Sequence, residues 1–192
     1  MIGKDPFADE NQAFAEKTVE TEPIFTGKII SLQRDTVLLP NGKQAYREVV
    51  KHPGAVAVMV IQDDKMAVVE QYRKPLERSL VEIPAGKLDE GETPESAAMR
   101  ELQEETGMKA DHVTLVKSFY TSPGFADEII HLYFADQCTK GEQQPDEDEF
   151  LQLQWLTLNE AKAFVEQGKI RDAKTVTAIY VWELYQLTGK LM

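Results

Sequence analysis

The chain is predicted to be an α/β protein, an α/β/α sandwich around a mixed sheet with an antiparallel sheet ahead of it. Residues 55–61 form a nearly continuous apolar run, which is typical of a buried strand. Residues 94–106 carry a helix start signal and a helix stop signal. Asn41-Gly42 stands between two strand-like runs and predicts a two-residue hairpin turn. Strands flanked by helices in this order favour the sandwich.

The segment ahead of the buried strand is predicted to be separate from the main domain. Residues 1–20 are polar and form an N-terminal extension for which we predict no structure. Residues 21–52 hold the strand-like runs on both sides of the hairpin turn and are predicted to form the small antiparallel sheet. Residues 53–192 are predicted to form the main domain, which is long enough to bury a core.

The main domain is predicted to contain further strands and two more helices. Asp63-Asp64 turns the first buried strand into the second. Asn159 is predicted to cap a helix that ends at Gly168. The predicted strands are 55–61, 66–72, 80–83, 112–120, 129–134 and 150–156, and the predicted helices are 94–106, 159–168 and 172–187.

Composition restricts the possible functions. The formal net charge of the 192 residues is −12, which argues against general nucleic-acid binding because that function needs a basic surface. No apolar stretch is long enough to cross a membrane, and the first residues do not have the pattern of a signal peptide. Cys138 is the only cysteine, so we expect a reducing, cytoplasmic location and a buried thiol.

Residues 86–108, GKLDEGETPESAAMRELQEETGM, are the most informative segment. Thr93 suits a helix N-cap, Pro94 the first helical position and Gly107 the residue after the helix. At 100° per residue, three glutamates at 101, 104 and 105 share an arc of roughly 100°. Like charges so close repel, and a divalent cation such as Mg²⁺ or Mn²⁺ removes this penalty. The alternative is a solvated, glutamate-rich helix face.

The spacing of this segment resembles the signature box of the Nudix hydrolases. That box reads G, five residues, E, seven residues, then R-E-U-x-E-E-x-G-U with U apolar, and all nine constrained positions agree. Pro123 stands 16 residues after the box residue Gly107, as in the ADP-ribose pyrophosphatases of the family. The segments GKIISL, EQYRKP, VEIPAGKL and YTSPGFADEI are also similar to bacterial enzymes of this group, so the resemblance covers roughly residues 22 to 187.

The resemblance implies a set of metal ligands and a general base. The metal ligands are the backbone carbonyl of Ala85 and the carboxylates of Glu101 and Glu105, and Glu104 binds a metal or a metal-bound water. In the ADP-ribose group an acidic loop before the last strand carries the base. Here that loop is 145–149, in which Glu147 aligns best with the base and Glu149 with an added metal ligand. Glu128 is the second candidate for the base, and a solvated acidic loop is the alternative reading.

The resemblance also implies substrate contacts, several of which leave a structural alternative open. Arg73 either contacts the phosphates of the substrate or forms a surface ion pair. Lys87 either reaches a phosphate oxygen or is an exposed lysine without a role in binding. Glu82 accepts hydrogen bonds from substrate or is a structural carboxylate. Arg47 matches a residue that stacks on adenine across a dimer, whereas Lys28 and Ile29 stand where some relatives have an aromatic residue. The remaining contacts are Ser122, Pro123, Gly124 and, from the partner subunit, Glu128.

Together these features predict Mg²⁺-dependent hydrolysis of ADP-ribose to AMP and ribose 5-phosphate. Two or three metal ions are expected at each site, and Mn²⁺ is the alternative to Mg²⁺. A homodimer is expected, because in the relatives the N-terminal sheet swaps across the dimer. Two alternatives remain open. The box is shared by enzymes for other nucleoside diphosphate sugars, such as GDP-mannose or a UDP-sugar. The second alternative is a catalytically silent protein that senses ADP-ribose and regulates transcription. Such a protein would need a basic DNA-recognition helix, and none follows Leu156 in the sequence.

Overall fold

The computed structural model describes residues 12–144 and 150–191, which divide into two compact units. The N-terminal unit contains the residues up to His52 together with Ser122–Glu128. The main unit contains Pro53–Thr121 and the residues from Ile129 onward. The assignment of residues 122–128 to the N-terminal unit was not predicted. The division into an extension, an N-terminal sheet and a main domain stays a prediction.

The N-terminal unit is built on a three-stranded antiparallel sheet. Its strands are β1 (Lys17–Thr26), β2 (Ser31–Leu38) and β3 (Gln44–Lys51), in the order β1-β2-β3. A short 3₁₀ turn, Gln12–Phe14, precedes β1. The first strand begins inside the stretch 1–20, for which no structure was predicted, because β2 supplies backbone partners for its polar residues from Lys17 onward.

The β2–β3 hairpin has a three-residue loop, so the two-residue turn predicted from Asn41-Gly42 is wrong. Leu39 N donates to Lys43 O at 2.8 Å, and Gly42 N donates to Leu39 O at 2.9 Å. This is a β-turn from Leu39 to Gly42 with Pro40 at its second position, where the fixed φ of proline fits. Gly42 then takes a φ of +79°, which closes the loop as a bulge.

Ser122–Glu128 is fastened to β3 by backbone and side-chain contacts. Val50 N donates to Phe125 O at 2.8 Å, and Asp127 N donates to Val50 O at 3.2 Å. Lys51 adds an ion pair with Asp127 at 2.9 Å. The segment that the sequence analysis assigned to substrate contact is therefore held by the N-terminal sheet, although in the chain it connects two strands of the main unit.

The main unit contains a seven-stranded mixed sheet. The strands of this unit are β4 (Ala55–Gln62), β5 (Lys65–Arg73), β6 (Arg78–Glu82), β7 (Ala85–Lys87), β8 (Met108–Lys109), β9 (Thr114–Tyr120), β10 (Ile129–Ala135), β11 (Thr139–Lys140) and β12 (Leu151–Thr157). The central path of the sheet is β12-β5-β4-β10-β9, with β6 on β5 and β7 on β4, and only its β4–β10 pair is parallel. Strands β8 and β11 pair with each other in a separate ribbon. The short strands β7, β8 and β11 were not predicted.

Helices cover both faces of this sheet, which confirms the α/β/α sandwich. The helices are α1 (Pro94–Thr106), α2 (Leu158–Glu166) and α3 (Ala173–Thr188). Because side chains alternate along a strand, β4 contributes to two cores. One core contains Val58 of β4 and Leu102 of α1, and the other contains Met59 of β4 and Trp182 of α3. The site helix α1 is thus anchored to the centre of the sheet by apolar burial.

The helix boundaries agree with the prediction for α1 and disagree for α2. Thr93 caps α1 by accepting from Ser96 N at 3.3 Å, and Gly107 ends it with a φ of +69°. The N-cap of α2 is Thr157, so the prediction of Asn159 as the cap is wrong. Thr157 and Glu160 form a reciprocal capping box, which satisfies two backbone donors where a cap at Asn159 offers one.

The prediction of a buried thiol is confirmed by the structure. Cys138 is buried, and burial together with the charge of Asp136 raises the pKa of its thiol to about 11. Within the part of the chain that the structure describes, no helix has the length and apolar character needed to cross a membrane.

Candidate active site

The loop between β6 and α1 approaches the helix so closely that only glycine fits at position 86. A Cβ atom built on Gly86 would lie 1.9 Å from Glu101 Oε1 and 2.0 Å from Glu101 Cδ. No side chain tolerates such a distance, so the carboxylate of Glu101 lies directly against the loop backbone. This contact explains why the first position of the motif is a glycine, and it brings a carboxylate and backbone oxygen ligands into one small volume.

A second carboxylate of α1 binds the same loop. Glu105 Oε2 accepts from Ala85 N at 3.1 Å, and Glu105 is only 2% exposed. Glu101 is also buried, whereas Glu104 is half-buried on the neighbouring arc of the helix. Burying carboxylates is costly unless they are compensated by hydrogen bonds or a cation. Three of the predicted metal-site residues, Ala85, Glu101 and Glu105, are therefore in one cluster.

Arg100 joins the carboxylates of the cluster to one another. Its Nη1 donates to Glu101 Oε1 at 2.7 Å and to Glu104 Oε2 at 2.9 Å. Its Nε and Nη2 donate to the two oxygens of Glu92 at 3.0 and 2.9 Å, and Nη2 also donates to the carbonyl of Lys87 at 3.1 Å. One guanidinium thus fixes three side chains and the backbone of the glycine loop, and its planar fork makes arginine suited to this task.

The charge of Arg100 also bears on the repulsion between the α1 glutamates, which the sequence analysis used to predict a divalent cation. Hydrogen bonding, with Glu92 first and then Glu101 and Glu104, raises the pKa of Arg100, and the same hydrogen bond lowers the pKa of Glu92. Arg100 therefore relieves part of the repulsion between the glutamates that the sequence analysis left to a metal ion. Among the described residues no three Asp, Glu, His or Cys side chains converge in a ready-made metal cluster.

The chemistry of the donors in this cluster nevertheless suits a hard divalent cation. Carboxylate oxygens and a backbone carbonyl are the ligands that Mg²⁺ and Mn²⁺ take in proteins. Glu101 lies against the loop that carries the Ala85 carbonyl, and Glu105 hydrogen-bonds the amide of the same residue. These residues fit a divalent ion in kind and in proximity.

Arg73 and Glu82 form a bidentate pair beside this cluster. Arg73 Nε and Nη2 donate to the two oxygens of Glu82 at 2.7 and 2.6 Å. Lys174, a residue that the sequence analysis did not single out, makes a further short hydrogen bond to Glu82. The hydrogen bond to Glu82 raises the pKa of Arg73, and the negative charge of Glu105 acts in the same direction. The negative charge of Glu105, one member of the carboxylate cluster, therefore acts on Arg73.

Glu82 has the environment of a structural carboxylate. It is 3% exposed and is bound by Arg73 on one side and Lys174 on the other. Burial alone would raise its pKa, but the hydrogen bond from Arg73 and the charges of Lys174 and Arg73 outweigh burial and lower the pKa to about 2. Of the two readings left open for Glu82, the structural one agrees with these contacts.

The segment that leads into the acidic loop is attached to the end of α1. Gly141 N donates to Gly107 O at 2.6 Å, Gln143 Nε2 to Glu105 O at 2.6 Å, and Gln144 N to Glu104 O at 2.9 Å. These bonds use carbonyls that a helix end leaves unpaired. The predicted base Glu147 and the predicted ligand Glu149 lie outside the described residues.

Most of the other predicted substrate residues lie in the N-terminal unit. Arg47 is paired with Glu16 at 2.5 and 2.8 Å, and Lys28 and Ile29 are exposed. In the segment held by β3, Ser122 O accepts from Phe125 N and Ala126 N, while Pro123 and Gly124 are exposed. Glu128 Oε1 lies 3.6 Å from His52 Nε2. In the main unit, Lys87 contributes its carbonyl to Arg100 and its side chain is exposed.

Comparison with known proteins gives matches over both units. Residues 51–178 match the family model described as NUDIX domain, and residues 16–50 match the nucleoside diphosphate sugar hydrolase N-terminal domain. A protein of Bacillus methanolicus named methanol dehydrogenase activator is 53% identical over 176 residues, which are 90% of this chain and 95% of that protein. The ADP-ribose pyrophosphatase of Bacillus subtilis (strain 168) is 51% identical over 176 residues, with the same coverage of 90% and 95%.

A solved structure shows the same fold. The crystal structure of an ADP compounds hydrolase matches with a TM-score of 0.80 over 91% of this chain and 96% of that chain. Its sequence is 22% identical, so this likeness concerns the fold alone.

Glu82 predicts a defined pH dependence of stability. Its folded pKa of about 2 lies below the ordinary 4.5, so its contribution is complete above pH 4.5 and is lost as the pH falls towards 2. By pH 3 we expect the wild type to have lost about 2 kcal/mol more of its unfolding free energy than Glu82→Gln, relative to each protein at pH 6. Urea unfolding at a series of pH values measures this.

The control for that experiment is Glu166→Gln, which changes an exposed glutamate at the end of α2. Its pH profile should follow the wild type. If the wild type and Glu82→Gln lose stability in parallel between pH 6 and 3, Glu82 is not held as an ionised carboxylate by Arg73 and Lys174.

Proposed function

The chain belongs to the Nudix family, and from this we propose that it hydrolyses the diphosphate bond of ADP-ribose, with Mg²⁺, to AMP and ribose 5-phosphate. The observation that carries the chemistry is the cluster in which Arg100 and Gly86 hold the α1 glutamates against the loop backbone. The substrate is suggested by the ADP-ribose pyrophosphatase that is 51% identical to this chain over 176 residues.

The residues that would hold the divalent ions are the carbonyl of Ala85 and the carboxylates of Glu101 and Glu105, with Glu104 beside them. Bound there, two or three Mg²⁺ ions, or Mn²⁺, would neutralise the diphosphate oxygens and make a water molecule a better nucleophile. The task of the protein is to keep these carboxylates ionised and in place. Arg100 supports this because it binds Glu101, Glu104 and Glu92 in their charged forms.

Two cationic side chains of the main unit are suited to orient the diphosphate. Arg73 is fixed through Nε and Nη2 by Glu82 and is half-buried next to the charge of Glu105. A guanidinium held in this way can stabilise charge that develops on the phosphoryl group without first having to reorganise. Lys87 follows Gly86, its side chain is exposed, and we propose that it contacts a phosphate oxygen. In this proposal Glu82 supports Arg73 and does not itself bind substrate.

We assign the general base to Glu147 and a further metal contact to Glu149. Support comes from the hydrogen bond between Gln144 N and Glu104 O, which anchors the chain three residues before Glu147 at the end of the site helix. The base would take the proton of the attacking water, an effect of about 10²–10⁴-fold. Glu128 remains the second candidate.

The N-terminal unit is proposed to recognise the nucleoside end of the substrate. Its match to the nucleoside diphosphate sugar hydrolase N-terminal domain supports this role. Arg47 presents a guanidinium that can stack on adenine, and exposed apolar and cationic groups at Ile29 and Lys28 lie in the same unit. Ser122, Pro123 and Gly124, held by β3, complete the proposed contact residues.

We propose that the chain is a homodimer and that the N-terminal sheet forms the contact between subunits. All ten residues of β1 are exposed in the single chain, and Phe25, Val19 and Tyr46 are each more than half exposed. An exposed sheet with several apolar side chains is typical of an interface. The buried single cysteine agrees with a cytoplasmic location, which is part of the proposal.

A second candidate function is activation of another enzyme. It is favoured by the 53% identity to the protein named methanol dehydrogenase activator. Addition of this chain to purified methanol dehydrogenase of Bacillus methanolicus tests it, with the Glu101→Gln variant in parallel. Stimulation by the wild type alone would show that activation requires the hydrolytic site. Stimulation by both the wild type and Glu101→Gln would assign activation to a separate surface.

The substrate is tested with a panel of ADP-ribose, ADP-glucose, GDP-mannose, UDP-glucose and diadenosine polyphosphates, each with Mg²⁺ and with chelator. We expect ADP-ribose to be preferred, AMP to be released, and chelator to abolish turnover. A preference for GDP-mannose or UDP-glucose would keep the metal site and contradict the proposed base recognition. Binding of ADP-ribose without turnover of any compound would support a sensor.

The metal site is tested by Glu101→Gln. The amide keeps the size of the side chain but removes its charge, so we expect the protein to fold and to lose about 10²-fold or more of kcat/KM. Glu95→Gln, which changes an exposed glutamate in the first turn of the same helix, is the matched control and should keep wild-type activity. Near wild-type activity of Glu101→Gln would show that the metal assignment is wrong.

The dimer is tested with Phe25→Asp, which places a charge on the exposed N-terminal sheet. We expect light scattering to give the mass of two chains for the wild type and of one chain for the variant, together with reduced hydrolysis. Leu187→Asp, at an exposed position of α3, is the control and should remain a dimer. A wild-type protein that is monomeric and fully active would refute the proposed dimer.

A further inference from the structure

Lys174 occupies a position that helix electrostatics disfavour. It is the second residue of α3, whose N-cap is Asp172. The start of a helix carries the positive end of the macrodipole, so a cation there is destabilising unless it has specific partners. The side chain of Lys174 is also only 9% exposed, and a buried ammonium group is costly. A lysine in this place therefore requires a compensating arrangement of anions.

The compensating anions are Glu82 and Asp172. Lys174 Nζ donates to Glu82 Oε2 in a short hydrogen bond and to Asp172 Oδ1 at 2.9 Å. Glu82 Oε2 also accepts from Arg73 Nη2, so one carboxylate oxygen is shared between two cations. The two cations and two anions alternate in a row, Arg73–Glu82–Lys174–Asp172, which has no net charge. Each member depends on its neighbour for compensation.

The row is closed by hydrogen bonds from the start of α3 to the end of β6. Asp172 Oδ1 accepts from Thr175 N at 3.0 Å and from Thr175 Oγ1 at 2.9 Å. Thr175 Oγ1 in turn accepts from Ile83 N at 2.9 Å. Because Ile83 follows Glu82 in the chain, the contacts form a ring. Asp172 Oδ2 is buried and has no hydrogen-bond partner among the described residues, and Lys174 is the cation that contacts this carboxylate, at Oδ1.

The ring has a direct consequence for Arg73. The carboxylate of Glu82 has rotational freedom about its last torsion, and the position of its two oxygens sets the plane of the Arg73 guanidinium. Lys174 and the ring hold that carboxylate in one orientation. Residues 84–86 come next in the chain, and Val58 N donates to Pro84 O at 2.8 Å at the start of that segment. The same ring thus stands at the base of the loop that carries Ala85.

We propose that Lys174 is a positioning residue, which fixes Glu82 so that Arg73 is presented to the diphosphate of the substrate. The assignment rests on the proposed function for its effect on turnover. The orientation of Arg73 itself can be measured without turnover. Lys174 touches neither substrate nor metal in this assignment, and its effect passes through Glu82 and Arg73.

The test on turnover is a double-mutant cycle. Lys174→Met should lower kcat/KM for ADP-ribose by about tenfold or more, and the same substitution in the Arg73→Gln background should have little further effect. A role in stability alone would lower kcat/KM by the same factor in both backgrounds. Lys174→Arg keeps the cation and should recover most of the activity. Lys162→Met is the control, because Lys162 forms an exposed ion pair with Glu183 at 2.6 Å in the same unit.

The test without turnover is the proton-exchange rate of the Arg73 Nε–H group, observed by NMR and assigned by its absence in Arg73→Gln. We expect slow exchange in the wild type and Lys162→Met and at least tenfold faster exchange in Lys174→Met. If Lys174→Met does not fold, Glu82→Gln replaces it and should give the same change. Unchanged exchange, or additive effects in the cycle, would overturn the assignment of Lys174. A wild type that shows slow exchange but no turnover of ADP-ribose would contradict the proposed function and leave the positioning of Arg73 supported.

Discussion

The contact between the Glu101 carboxylate and the Gly86 backbone is the constraint on which the site depends. It requires a glycine, because a Cβ atom at position 86 would overlap the carboxylate. It also requires a cation nearby, because a carboxylate that is buried against the loop backbone loses its hydration. Arg100 supplies that cation and extends the constraint to Glu92, Glu104 and the Lys87 carbonyl. Arg100 and the close contact at Gly86 thereby fix the loop and the helix to each other.

A second ionic group, the ring around Glu82, holds the residues that lead into the same loop. Buried ion pairs contribute little net stability, since desolvation offsets the attraction between the charges. Their value in this chain lies in geometry. The Arg100 group fixes the carboxylates of α1, whereas the Glu82 group fixes Arg73 and the end of β6 that leads to Ala85. The two cores on either face of β4 provide the stability, and the ionic groups determine where the functional atoms lie.

Sequence reasoning succeeded where a feature is decided within a few residues of the chain. Thr93, Pro94 and Gly107 delimit α1 by local backbone chemistry, and the structure has the helix at 94–106 as predicted. It failed where two local signals competed. Near Asn41-Gly42, Pro40 occupies the second position of the turn, so the turn begins at Leu39. Near Asn159, the capping box of Thr157 and Glu160 begins α2 two residues earlier than predicted. Lys174 was missed, although a lysine at the start of a helix begun by Asp172 was itself a visible signal.

By itself the sequence determined the fold class, the site helix and the identity of the residues in the glycine loop and on α1. These follow from periodicity, capping and motif spacing, which act over short chain distances. Only the tertiary structure decided what each charge is paired with. Arg73 with Glu82, Glu82 with Lys174, and Arg47 with Glu16 join residues that are 9, 92 and 31 positions apart. Such pairings depend on strand order and helix packing, and no local pattern in the chain encodes them.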